Sequence, residues 1–177
     1  MAKKSAGLLL FREASGRLEV LLVHPGGPFW ANKDEGAWSI PKGEFDEDED
    51  PLEAAKREFR EETGVTPDGE MIPLEPIRQP SGKLVYAWAI KCDMDPAGLK
   101  SNTFRLEWPP KSGRYRDFPE IDRAAWFTVE AAGRKILKGQ AALLGQLLEK
   151  LRSPRRPSDE GGGAADSASE QREGRIF

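Results

Sequence analysis

Apolar residues along the chain fall into blocks separated by glycine- and proline-rich punctuation. Residues 5–11 and 18–24 read as two strands joined by the link REASG. LEVLLVH is nearly continuously apolar after its first residues, which predicts a strand buried on both faces. PGGPFWANKDEG, residues 25–36, reads as a loop, AWSI as a short strand, and PKGEFDEDED as a turn followed by an acidic loop. Further strands are predicted at 71–79 and 83–92 around the turn PSG, at 102–108 before PPKSG, and at 124–128.

Helical spacing takes over in two places. Over 50–64, Asp50 suits the N-cap, Pro51 the first helical position, Glu53 the third, and Gly64 the position just past the end. Leu52, Ala55 and Phe59 form its apolar stripe. Residues 129–152 predict two helices broken near Lys138 and Gly139, with Leu143, Leu144, Leu147, Leu148 and Leu151 inward. From Ser153 onward large apolar residues almost vanish, and the stretch cannot bury enough surface to offset its ordering entropy. The expected organisation is one domain over 1–152 and a disordered tail over 153–177.

Composition narrows the function classes. The chain has 177 residues, 32% charged and 38% hydrophobic, with a formal net charge of −3. That balance gives no global electrostatic case for binding nucleic acid or a membrane surface. One cysteine, Cys92, excludes an intrachain disulfide and a cysteine-built zinc site; one histidine, His24, excludes a multi-histidine metal site. MAKKSAGLLLF has too short an apolar run for a secretion signal. No run approaches the roughly 18 apolar residues that span a bilayer. The expected location is cytoplasmic.

The segment REFREE, residues 57–62, then carries the chemistry. Glu58, Glu61 and Glu62 stand at i, i+3 and i+4 and share one helix face. At about 100° per residue they occupy an arc of about 100°, with Glu62 nearest the apolar stripe. Like charges at that spacing weaken a helix unless a positive partner relieves them. The neighbouring Lys56, Arg57 and Arg60 are one source of relief, on a solvated charged face. A hard divalent cation such as Mg²⁺ or Mn²⁺ is the other, since only oxygen ligands are on offer.

The surrounding spacing favours the second. Gly43 is followed after five residues by Glu49, after seven more by Arg57-Glu58-Phe59, then Glu61-Glu62 and Gly64-Val65. This resembles the complete box of the Nudix hydrolase family. The resemblance implies an α/β fold, an α/β/α sandwich around a central mixed β-sheet. It implies metal ligation by Glu58, Glu61, Glu62 and the Lys42 carbonyl, and a pairing of Glu49 with Arg57 that pins loop to helix. Catalytic roles fall to Glu58, Glu61, Arg57 and Glu49, and the general base differs among family members. Glu120, before the strand containing Trp126, is a further metal or base candidate, and Glu107 a weaker one.

WSIPKG, residues 38–43, is similar to the lead-in of diadenosine polyphosphate hydrolases and of some inositol pyrophosphate hydrolases. It assigns Trp38 and Lys42 to substrate binding, where an ammonium contacts phosphate. Phe29, Trp30, Tyr86, Trp88, Trp108 and Tyr115 are candidates for base stacking, and His24 for phosphate contact or a structural role. Residues 101–118 form an insert carrying Lys111, Arg114 and Arg116, placed either over the cleft or away from it. The reaction implied is hydrolysis of a phosphoanhydride in a nucleoside diphosphate linked to a further group, best matched by a dinucleoside polyphosphate. Alternatives are a modified nucleoside triphosphate, an RNA 5′ end, or a catalytically inactive nucleotide-binding module. The implied partner is a small nucleotide, with no membrane and no nucleic acid beyond an RNA 5′ end; the oligomeric state is not written in the sequence.

Overall fold

The computed structural model describes residues 3–153; the expected tail falls, from residue 154, outside the described residues. The strands are β1 (Lys4–Ala14), β2 (Arg17–Pro25), β3 (Lys42–Glu44), β4 (Met71–Pro73), β5 (Ile77–Arg78), β6 (Leu84–Lys91), β7 (Thr103–Glu107), β8 (Tyr115–Pro119) and β9 (Ile121–Thr128). The helices are α1 (Pro51–Thr63), α2 (Val129–Lys135) and α3 (Ala142–Arg152). The main sheet runs β4-β6-β1-β2-β9, with β3 beside β1 and β5 beside β6. β1 is parallel to β6 and antiparallel to β2 and β3, so the sheet is mixed.

Strand alternation builds the two layers. On β1, Leu8 and Leu10 face Ala54, Ala55 and Phe59 of α1, while Leu9 and Phe11 face Leu143 and Leu147 of α3. Both faces of β1 and β2 are therefore buried, as the apolar run LEVLLVH implied. The result is the expected α/β/α sandwich.

The fold departs from the sequence reading at four segments. AWSI forms only single bridges, Ser39 to Val23 and Trp38 to Ile136. Its successive amides donate to three different elements: Trp38 to the Lys135 carbonyl, Ser39 to the Val23 carbonyl, and Ile40 to the Gln140 side chain. No single ladder can form from such a pattern. PKGE contributes β3, because the Phe45 and Leu8 amides donate to the Lys4 and Pro41 carbonyls across it. The strand expected over 71–79 is split into β4 and β5, with Pro73 and Pro76 removing ladder donors. The insert at 101–118 holds a second strand, β8, so that β7 and β8 make a separate hairpin.

Along one edge, β1 pairs β3 over residues 5–7 and β2 over 11–14. The two partners diverge in between, and loop 25–41 lines the fork. Phe59 is fully buried where α1 crosses this sheet. Phe59→Ala is expected to lower the unfolding free energy by about 3–5 kcal/mol in urea titration.

Candidate active site

Helix α1 places the carboxylates. Asp50 accepts from the Glu53 amide at 3.1 Å, Pro51 opens the first turn, and Gly64 ends the helix in the left-handed region at φ 74°. The buried arc is Ala54, Ala55, Phe59, Glu62 and Thr63. Glu62 therefore extends the apolar face, three residues after Phe59, and is only 8% exposed. Its Oε2 is buried without a hydrogen-bond partner. Burial pushes the Glu62 carboxyl up to about 8; Glu58 and Glu120 add repulsion, and Lys42 opposes them.

Glu58 lies against β3. A Cβ built on Gly43 would meet the Glu58 carboxyl carbon at 2.0 Å, so only glycine leaves room for it. The β1–β3 ladder is bonded at Phe45–Lys4 and Leu8–Pro41. By antiparallel alternation Lys42 is then a non-hydrogen-bonded position, and its carbonyl points away from β1. Burial raises the Glu58 pKa, while its bond from Arg57 pulls the other way.

Arg57 ties the group together. Its Nε and Nη2 donate to the two oxygens of Glu49 at 2.8 and 3.0 Å, and Nη1 donates to Glu58 at 2.8 Å. Nη1 also reaches Glu61 at 3.4 Å. The bidentate bond from Arg57 holds Glu49 below the usual carboxylate range, and Glu49 in turn raises the Arg57 pKa. Loop and helix are thus joined by one guanidinium.

A cavity of about 270 Å³ opens in the fork between β2 and β3. Glu62, Glu120 and Lys42 stand in its wall, and Trp30, Ile40 and Leu137 give it an apolar side. Burial, then repulsion from Lys83, lowers the Lys42 pKa; Glu62 and Glu44 oppose this. Glu120 is fixed through its backbone, donating to the Asn102 carbonyl at 2.8 Å and accepting from Gly26 at 2.9 Å.

Other expected residues lie elsewhere. Trp38 is 4% exposed and bonds Asp34 through Nε1 at 2.8 Å. It lines an open depression outside this cavity, with Arg123, Phe127 and Lys135. His24 is fully buried between the Asp122 carboxylate at 2.7 Å and the Lys33 carbonyl at 2.6 Å, so it latches the loop to β9 and shows no face to a phosphate. Glu107 accepts from the Gly113 amide at 2.8 Å and stabilises the hairpin turn. Gln140 was not singled out in the sequence. Its buried amide holds Ser39 and Ile40, behind the cavity wall, at 3.0 Å each. A polar residue within a predicted helix break was its only signal.

The donor set suits a hard cation: every available ligand atom is oxygen, Glu62 Oε2 is an orphan, and Gly43 makes a hollow for Glu58. Among the described residues, no three acidic, histidine or cysteine side chains already converge as a closed ligand shell. Glu58 leans on Arg57, and Glu62 Oε2 is buried without a partner.

Residues 1–150 match the NUDIX domain, and the chain belongs to that family. It is 38% identical over 66 residues to the asymmetrical bis(5′-nucleosyl)-tetraphosphatase of Caenorhabditis elegans, covering 37% of this chain and 44% of that protein. It is 44% identical over 117 residues to an RNA pyrophosphohydrolase of Xanthomonas campestris, covering 60% of this chain and 55% of that one. The matches thus span about half the length of these relatives. The NUDIX domain of Shewanella oneidensis NrtR, solved with ADP ribose, superposes with a TM-score of 0.59 at 19% identity, over 85% of this chain and 89% of that one. That likeness shows the fold.

Glu62 supplies a test of the electrostatics. Its folded-state pKa of about 8 exceeds the ordinary 4.5, so between those values the folded state keeps a proton that the unfolded state has released. Stability therefore falls as pH rises through this window. In EDTA at pH 8, Glu62→Gln is expected to melt about 3–6 °C above the parent protein, with the gap closing near pH 4.

Proposed function

We propose that this protein is a divalent-cation-dependent hydrolase of a phosphoanhydride in a nucleoside diphosphate linked to a further group. The observation that carries the proposal is the juxtaposition of orphaned Glu62 with Lys42 and Glu120 in the wall of a partly apolar cavity, with glycine-seated Glu58 one helical turn before Glu62. Glu58, Glu62 and the Lys42 carbonyl would hold Mg²⁺ or Mn²⁺, with Glu61 and Glu120 alongside. Bound there, the cation neutralises phosphate charge and lowers the pKa of water.

The chain's own residues supply the rest. Arg57 fixes the direction of Glu58 and, through Glu49, the position of the loop. The Lys42 ammonium meets the phosphates inside the cavity. Glu58 and Glu61 are the carboxylates assigned to take the proton of the attacking water. The apolar wall at Trp30 and Ile40 receives a nucleoside and limits the access of competing water.

The matched tetraphosphatase supports a dinucleoside polyphosphate as substrate. An RNA 5′ end is the second reading, supported by the matched RNA pyrophosphohydrolase and by the cationic hairpin next to Glu120. A cytoplasmic location belongs to the same proposal. Among the described residues, no helix is long and apolar enough to cross a membrane.

A Mg²⁺-supplemented panel of diadenosine tetraphosphate, 5′-triphosphorylated RNA, ADP-ribose and nucleoside triphosphates tests the reading. Glu58→Gln and Glu61→Gln are each expected to lower kcat by about 10²-fold or more. Near-parental turnover in both variants, or Mn²⁺ titration heats unchanged by Glu58→Gln with Glu62→Gln, would overturn the site assignment.

A further inference from the structure

We infer that the β7–β8 hairpin and the loop beneath it form a docking track for the first nucleotides of a single-stranded nucleic acid chain. The inference uses the proposed function only to orient the ligand, with its 5′ phosphates toward Lys42.

Register places the cations. Phe104 pairs with Phe118 and Leu106 with Arg116, and the Trp108 amide donates to the Arg114 carbonyl at 2.8 Å. Phe104, Leu106, Trp108, Arg114 and Arg116 therefore share one hairpin face. That face turns to the loop: a Cβ on Gly27 would meet the Phe104 ring at 2.8 Å, and Trp108 meets Phe29 edge-to-face at 5.5 Å. The same loop carries Trp30 into the cavity, with the Lys33 ammonium 4.8 Å from its ring.

Aromatic platforms thus lead outward from the carboxylates, first Trp30, then Phe29 with Trp108. Phe29 remains 59% exposed although its ring is fixed by Trp108. On the hairpin's other face Tyr115 is 58% exposed, with the Arg105 guanidinium 5.6 Å from its ring. Exposed rings interleaved with cations are the stacking and backbone-tracking elements of single-strand binding. Over Thr103–Pro119, four cations stand against two carboxylates, in a chain of net charge −3. Among the described residues, Lys111, Arg114 and Arg116 close no ion pair.

The order of these groups separates two ligands. In a dinucleoside polyphosphate every phosphate lies between the two nucleosides, next to the carboxylates, and cations beside an outer ring face no phosphate. In a polynucleotide each base is followed by another phosphodiester. Arg114, opposite Trp108, and Arg116, one pair nearer the hairpin base, stand beside the outer rings and match the second pattern. The hairpin's base is also bolted to the site, since Glu120 bonds Asn102 and Gly26, and Ser101 Oγ accepts from Ile121 at 2.9 Å.

The test is fluorescence anisotropy of the full chain with a 3′-labelled, 5′-triphosphorylated RNA of about ten nucleotides, in EDTA. The parent protein is expected to bind. Arg114→Ala with Arg116→Ala should reduce the slope of log affinity against log salt by about 1.4. Phe29→Ala should weaken binding about tenfold. Diadenosine tetraphosphate turnover in Mg²⁺ should be unchanged in the arginine variant. Absence of RNA binding by the parent, or undiminished binding by the variants, would overturn the track. Loss of diadenosine tetraphosphate turnover in the arginine variant would also overturn it, because the cations would then serve the small nucleotide. Intact RNA binding without turnover of any substrate supports the track and removes only the hydrolase reading.

Discussion

Arg57 is the group on which the site depends. Its guanidinium is held by both oxygens of Glu49 on the loop and by Glu58 on its own helix. Charge-assisted bidentate bonds of this kind fix direction as well as distance. Glu58 can therefore rest against the backbone of β3 instead of swinging into solvent, and Gly43 is the residue that lets it approach. A lysine in place of Arg57 would keep the charge and lose the fork. The repulsion among Glu58, Glu61 and Glu62 is thereby divided: Arg57 answers two of the three, and Glu62 is left as a buried orphan.

The sheet makes this division possible. β1 contributes both faces to the core, so α1 is pressed onto one side and α3 onto the other. The divergence of β2 and β3 along one edge of β1 opens the fork, and the cavity is the space within it. Gln140 reaches from the α3 side to hold Ser39 and Ile40, which precede Lys42 by only a few residues. The helical layer far from the carboxylates therefore sets the height of the cavity wall.

Helix α1 and its acidic side could be read from the chain because caps, stripe and charges are local signals. Asp50, Pro51 and Gly64 occupy the positions their chemistry suggested. The apolar runs of β1 and β2 were equally readable, since burial on both faces leaves little polar interruption. AWSI failed because its hydrogen bonds go to β2, to the end of α2 and to a side chain 100 positions away, none of which leaves a local trace. Trp38 was read from its position before the box alone; its bond to Asp34 and its burial in the core come from tertiary contacts that leave no local trace. β8 was obscured by its charges, which suit an exposed hairpin as well as a loop. The role of Gln140 depended on tertiary contacts alone.

The position of β1 has a consequence for how the chain reaches this structure. β1 lies at the middle of the sheet, yet its parallel neighbour β6 arrives some 80 residues later along the chain. During synthesis the run Leu8-Leu9-Leu10 has one edge without a partner until that segment has left the ribosome. An unpaired, strongly apolar edge is a site of mispairing between nascent chains. Pairings closed over such distances are also slow to form. The rate at which residues 84–91 are delivered therefore governs how long the centre of the sheet remains open to the wrong partner.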